Sequence, residues 1–299
     1  MRRDRALATG LAFLCLVTGS CAGLRSNPKA TATPIDPTTA IAVSVLDQAV
    51  YLLDPTSGRQ AQVAGNLSSF QSGYAAWSPD HRTLAYGDEG IYLVDTASDR
   101  RRQLVAGEEL SMPAWSPSGQ VIAYGNGVTL WVTPTDVLGP YRIRLPQALA
   151  AVAMHWSSRG IVFEGIRRDC ASSPLCPTTD DTDVWVVQAD GRSLRQVTHL
   201  RRALTPRWSP DGTKILFIRR FGGDKRELWV VQSNGGNPSR LGTAGDLVAA
   251  DWSDDGSLVA MVRTGPQPKT LQVWIAKSDG SGAHPLGPPL AGTAATIDW

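Results

Sequence analysis

Arg207-Trp208-Ser209-Pro210-Asp211-Gly212 is the stretch that decides the fold, because it returns along the chain. Ala76-Trp77-Ser78-Pro79-Asp80, Ala114-Trp115-Ser116-Pro117-Ser118, His155-Trp156-Ser157-Ser158-Arg159, Asp251-Trp252-Ser253-Asp254-Asp255-Gly256 and Asp298-Trp299 are its copies. Successive tryptophans are 38, 41, 52, 44 and 47 residues apart. A period of that length, with several short β-rich runs inside each unit, predicts a β-propeller with four strands per blade.

Each unit carries the turn chemistry that such a blade needs. In the fifth, Leu204–Trp208 reads as a strand and Ser209-Pro210-Asp211-Gly212 as a type I turn, with Pro second and Gly fourth. Lys214–Ile218 and Glu227–Gln232 read as the next two strands, and Asn234-Gly235 supplies the φ > 0 pair of a tight hairpin. Asp190-Gly191 and Asp279-Gly280 stand at the same point of units four and six. Helical periodicity of any length is absent from Ile41 onward, so the fold class is all-β.

The two ends of the repeat region complete one another. Ile41–Ser44, Ala49–Asp54 and Gln60–Ala64 supply strands two to four of a unit that lacks its first strand, and Thr296–Trp299 supplies a first strand with nothing after it. Joined, they close a six-bladed ring over residues 41–299 and remove its exposed edge.

The Ala-Trp-Ser-Pro-Asp-Gly repeat, an apolar strand such as Ile215–Ile218, and Leu228-Trp229-Val230-Val231 ahead of Asn234-Gly235 resemble the TolB-type propeller repeat over essentially all of residues 41–299. The extra N-terminal α/β domain of TolB has no counterpart here. The resemblance implies an exported, protein-binding propeller, and leaves a role in the Tol system open.

Export is also expected from the N-terminus. Met1–Arg5 carries three arginines, and residues 6–17 form an uncharged apolar run, too short to span a bilayer as a helix. That is the layout of a secretory signal peptide. Val17-Thr18-Gly19-Ser20-Cys21 then resembles a lipobox, in which Cys21 is diacylated, although Thr18 stands where Leu is usual. Ordinary cleavage at Ser20-Cys21-Ala22 is the alternative, and it releases a soluble secreted or periplasmic protein. Residues 22–40, with Pro28, Pro34 and Pro37 among Ser, Thr and Ala, read as a tether that holds the domain off a membrane.

Charge and motif content narrow the function classes. The formal net charge is +2, all of it from the first five residues, so the exported part is near neutral and nucleic acid is not expected as a partner. No Gly-x-Ser-x-Gly elbow, His-Glu-x-x-His helix or phosphate-binding Gly-rich loop occurs. His81, His155, His199 and His284 fall in four units at different repeat positions, which gives no metal set and no expected cofactor. Cys170 and Cys176, seven residues apart by inclusive count, read as a local disulfide in an oxidising compartment.

Two groups of residues stand out as candidate sites. The residues preceding the first-strand tryptophans include His155, Arg207, Asp251 and Asp298, where units two and three have Ala76 and Ala114. If they face the central channel, they either pair with one another or grip a charged ligand or cation. The second group is two extended loops between strands two and three. That of unit four contains Arg167, Arg168, Asp181 and Asp183, and that of unit five runs from Arg219 and Arg220 through Phe221 to Arg226. Long loops on a rigid scaffold are where recognition usually sits, although exposed loop tips also tolerate insertions without function. The tryptophans themselves are expected in the core between blades.

The functional expectation is therefore a monomeric, lipid-anchored propeller in the bacterial cell envelope, touching the membrane through its anchor only and binding an envelope protein without catalysis. The alternative is a small-ligand or cation binder, or an enzyme, working through the channel residues.

Overall fold

A computed structural model describes residues 34–46, 48–65, 75–107, 111–125, 129–136, 139–146, 149–167, 181–222, 225–242 and 245–299. Cys21, Arg168 and the Cys170/Cys176 pair lie outside the described residues.

Among the described residues, twenty-four strands form six separate four-stranded antiparallel sheets. Blade one contains β1 (Ile41–Val45), β2 (Ala49–Leu53) and β3 (Gln60–Gly65). Blade two is β4 (Ala75–Trp77), β5 (Thr83–Asp88), β6 (Gly90–Asp95) and β7 (Arg100–Ala106). Blade three is β8 (Ser111–Trp115), β9 (Val121–Gly125), β10 (Leu130–Pro134) and β11 (Tyr141–Ile143). Blade four is β12 (Leu149–Ser157), β13 (Gly160–Arg167), β14 (Thr182–Val187) and β15 (Arg195–Gln196). Blade five is β16 (Ala203–Trp208), β17 (Lys214–Arg220), β18 (Arg226–Gln232) and β19 (Ser239–Arg240). Blade six is β20 (Leu247–Trp252), β21 (Leu258–Thr264), β22 (Thr270–Lys277) and β23 (His284–Ala291). The last strand, β24 (Ala295–Asp298), pairs with β1 in the register Ala42 to Asp298 through Val45 to Ala295, which completes blade one and closes the ring.

The repeated Trp-Ser-Pro-Asp motif folds by one hydrogen-bond pattern. The Ser209 hydroxyl donates to Asp211 (2.6 Å) and accepts the Lys214 N–H (2.9 Å), which ties the first strand to the second. Ser253 does the same with Asp255 and Leu258, and Ser78 with Asp80 and Thr83. Gly119, Gly212 and Gly256 hold φ near +70° at the end of this turn, a conformation open to glycine without a Cβ penalty. Blade two has His81 there, at φ +54°.

The apolar residues collect between blades. Ile41, Val43, Val262 and Ile297 fill the gap between blades six and one, Trp208, Phe217 and Val184 that between four and five, and comparable clusters fill the other four. Trp77, Trp115, Trp208 and Trp252 are buried, as their repeat position predicts. Their indoles also clasp neighbours: Trp77 donates to the Ala40 carbonyl, Trp115 to Ala76 and Trp208 to Gly160.

Antiparallel meandering gives the ring two distinct faces. Turns between strands one and two, and between three and four, lie on one face. Loops between strands two and three, and the connections from blade to blade, lie on the other. They are called the turn face and the loop face below. No helix among the described residues is long and apolar enough to cross a membrane.

Candidate functional site

The four polar residues that precede the tryptophans do converge, and mostly on one another. Arg207 donates from one terminal nitrogen to the Met154 carbonyl (3.2 Å) and from the other to the Ile297 carbonyl (3.1 Å), so it reaches from blade four to blade one. Its Nε faces Asp251 Oδ2 at 3.2 Å, and both side chains are nearly buried. Asp298 is hydrogen-bonded to Asp251.

Two of the four act as clamps between blades. Asp298 accepts the Trp77 N–H of the next blade (2.5 Å), and His155 Nδ1 accepts the Trp208 N–H of the next blade (2.9 Å). In blade five this position is Arg207, which cannot accept, and the Trp252 N–H is taken by its own neighbour Asp251 (2.8 Å). Blades two and three carry Ala76 and Ala114 and have no such clamp to offer.

Burial sets the charge states here. It pushes both carboxyls up, Asp251 well above the ordinary range, with Asp298 beside it adding a competing charge and the Arg207 guanidinium opposing. One proton shared by the pair would balance one guanidinium against one negative charge. Burial, with help from Arg207, brings His155 down to about 3, so it is a neutral acceptor. Above this group, on the turn face, lies a cavity of about 360 Å³ floored by Arg207, Asp251 and Asp298 and walled by the repeat tryptophans and their following serines.

His81 bridges the turn-face rim near the closing blade. Its Nε2 lies 3.2 Å from Asp254 Oδ2 of blade six, its Nδ1 3.2 Å from the Pro37 carbonyl, and its ring stacks on Trp77 at 5.4 Å. The hydrogen bond to Asp254 raises its pKa above the usual histidine value. The sequence reading did not single out this contact; the signal was His81 standing in a left-handed position that other blades give to glycine.

The loop face holds the second group, with a different division of labour from that expected. Asp183 is a buried residue of β14, and so a structural one: its Oδ1 accepts from Thr198 Oγ1 (2.7 Å) and from the Leu200 and Arg201 N–H groups (3.0 and 3.3 Å), and its Oδ2 accepts from Gln196 (3.0 Å). Its bond to the Arg201 N–H helps set the backbone there, where Arg201 and Arg202 have φ +55° and +58°. Asp181 faces Arg201 at 3.6 Å. Arg167 ends β13, Arg219 and Arg220 end β17, and Arg226 opens β18, so these arginines sit on strand ends with Phe221 between the last two strands. Arg201, Arg202, Arg219, Arg220 and Phe221 line a concave site of about 410 Å³.

Beneath it, Glu164 was not anticipated. It is buried, accepts the Thr205 N–H (3.1 Å), and is raised by desolvation to about 7 against the pull of that bond, Arg220 and Arg226. Among the described residues no three His, Cys, Asp or Glu side chains come together as a metal set.

No protein-family model matches the chain, and no curated protein matches it. Solved structures do. A TolB candidate from Agrobacterium tumefaciens superposes with a TM-score of 0.62 at 20% identity, over 85% of this chain and 89% of that one. In fold the chain is a TolB-like six-bladed propeller. A chain of the nidogen/laminin complex gives a TM-score of 0.64 at 11% identity, over 86% and 97% of the two chains. An oligogalacturonate lyase in complex with manganese gives 0.50 at 15%, over 80% and 70%. At such identities the likeness is one of fold, and this TolB-like scaffold carries a binding platform or an enzyme with equal ease.

Proposed function

We propose that the protein is an exported, non-enzymatic binding platform of the bacterial cell envelope, anchored through a lipid on Cys21 and working as a monomer on an envelope protein. The observation that carries this reading is the loop face. Arg201, whose N–H the buried Asp183 accepts, and Arg202 stand there in left-handed backbone, beside the ends of β17 and β18 and the half-buried Phe221. Backbone strain that the surroundings enforce at an arginine-rich concave surface is a mark of recognition rather than of packing. The signal-like N-terminus and the TolB-like fold support the envelope setting. Arg167, Arg168, Asp181, Arg219, Arg220, Phe221 and Arg226 are the proposed contact residues.

The test is crosslinking capture from intact cells, with the full chain beside a variant lacking 170–180, which spares Asp183, and a Phe221→Ser variant. A partner held by the parent and lost by either variant supports the loop face; capture unchanged in both sinks it.

A second reading rests on the turn-face cavity over Arg207, Asp251 and Asp298, where a small cationic or polar ligand has both room and charge. A ligand-dependent rise in melting temperature, abolished in Asp251→Ala/Asp298→Ala, would favour it.

A further inference from the structure

Three consecutive blades each place an arginine over the indole of their third strand, toward the loop face. Arg219 lies 5.0 Å from the Trp229 ring and 4.7 Å from that of Phe221, Arg263 lies 5.0 Å from Trp274, and Arg167 lies 5.6 Å from Trp185. Arg219 and Arg263 hold the same register, four residues beyond Ile215 and Val259, the partners of Trp208 and Trp252. Blade four has Gly165 at that position, where Trp185 fills the space a Cβ would take, and its arginine comes two residues later on the same side of the strand.

Each indole belongs to a gap between blades: Trp185 to three and four, Trp229 to four and five, Trp274 to five and six. The stacked guanidiniums therefore mark the loop-face ends of three successive gaps. Arg201, with its single contact to Asp181 at 3.6 Å, sits beside the middle one in the concave site shared with Arg219.

Among the described residues, Arg219 and Arg263 form no ion pair with a carboxylate. Arg219 is half-buried and makes no ion pair or hydrogen bond among the described residues; Glu227, opposite it, is engaged by Arg240 and by the Trp229 indole N–H. Arg263 has a buried Nε with no hydrogen-bond partner, and its NH2 reaches only the Met261 sulfur at 3.8 Å. A guanidinium partly removed from water without a carboxylate is costly unless one arrives from outside. Stacking fixes the stem and plane of Arg219 and Arg263 and leaves their donor forks to pair with carboxylate, whereas Arg167 already donates from a terminal nitrogen to Gln196 Oε1.

The geometry points to an acidic protein segment as the partner, its Asp and Glu carboxylates received by Arg219 and Arg263, with Arg201 beside Arg219 and Arg167 at the gap before it. This assignment rests on the platform reading above and names the chemistry of its partner. A protruding segment is favoured over a flat anionic bilayer because Arg219 is half-buried and lines a concavity rather than standing on a long exposed stem.

The test is fluorescence anisotropy of a labelled oligoglutamate peptide against the full chain. We expect saturable binding that weakens with added salt, and a loss of about tenfold or more in Arg219→Gln/Arg263→Gln at unchanged melting temperature. Arg219→Lys/Arg263→Lys keeps the charges but loses fork and stack, and is expected between the two. Absence of peptide binding by the parent, or equal binding by the Gln variant, overturns the assignment. So does arginine-dependent binding to phosphatidylglycerol vesicles without peptide binding. Crosslinked capture that survives Arg219→Gln/Arg263→Gln but is lost in Phe221→Ser overturns the acidic-segment assignment while leaving the platform reading in place.

Discussion

Arg207 and Asp251 face one another across 3.2 Å at the floor of the channel, and the Arg207 guanidinium also acts on Asp298. Arg207 also spends two nitrogens on the Met154 and Ile297 carbonyls, which makes it the piece that joins blades four, five, six and one. Asp251→Asn leaves Asp298 to balance Arg207 and is expected to cost under about 1 kcal/mol. Arg207→Leu strands a buried carboxylate and two carbonyls together, and is expected to cost roughly 3–5 kcal/mol. Urea unfolding of the two variants checks the order; an asparagine variant as unstable as the leucine one would mean that Asp251 is fully ionised.

The His81–Asp254 contact makes the closing region pH-sensitive. The folded pKa of His81 is raised above 6.5, so its contribution is complete below that value and is lost as pH rises through the folded pKa. Asp254 is largely exposed, so added salt weakens the contact. Melting temperature is expected to fall from pH about 6 to about 8 in the parent, and less so in Asp254→Asn, which removes the charge that raises the histidine. Equal slopes in the two proteins would show that the latch contributes nothing.

How much of this was legible in the sequence depends on whether the signal was periodic. The Trp-Ser-Pro-Asp repeat fixed six blades and the closing strand, because a hydrogen-bonded turn and a buried indole need the same residues each time they occur. The same register singled out His155, Arg207, Asp251 and Asp298, but their partners are backbone groups of neighbouring blades and were invisible to it. Asp183 read as one more charge in a long loop, since nothing local says that its acceptors serve residues 198–201. Glu164 sits in an apolar strand and looks like an interruption until Thr205 of the next blade is placed against it. The stacked arginines of blades four, five and six all stand eleven residues after the repeat tryptophan, but the indoles they cover belong to another strand, which that spacing does not show.

Glu164 dominates a separate pH window. Its folded pKa is raised from 4.5 to about 7, so stability is complete below 4.5 and declines as pH rises toward 7. The loss amounts to a few kcal/mol, on the order of 3. Glu164→Gln keeps an acceptor for the Thr205 N–H and abolishes the titration, so its profile is expected to be flat across that window and above the parent at pH 8, by the same linkage. His155 runs the other way: held near 3, it contributes stability above 6.5 that is lost as pH falls. Stability curves of Glu164→Gln and parent that run parallel from pH 5 to 8 would place the Glu164 carboxylate in water.

The closing strand is the most exposed point of the architecture, because four different interactions depend on its four residues. Removal of residues 294–299 takes away the pairing of β24 with β1, the buried Ile297, the Asp298 carboxylate that accepts the Trp77 N–H, and the Ile297 carbonyl that holds Arg207. It also bares β1, whose Ile41, Val43 and Val45 are buried in the ring, as an unpaired edge open to other chains. The truncated protein is expected to melt at a clearly lower temperature and to self-associate in sedimentation experiments. Ile297→Ala separates the causes: it keeps backbone pairing and carbonyl and loses only packing, for an expected 2–5 kcal/mol without self-association. A truncated ring that stays monomeric and melts with the parent would show that blade one holds without its first strand.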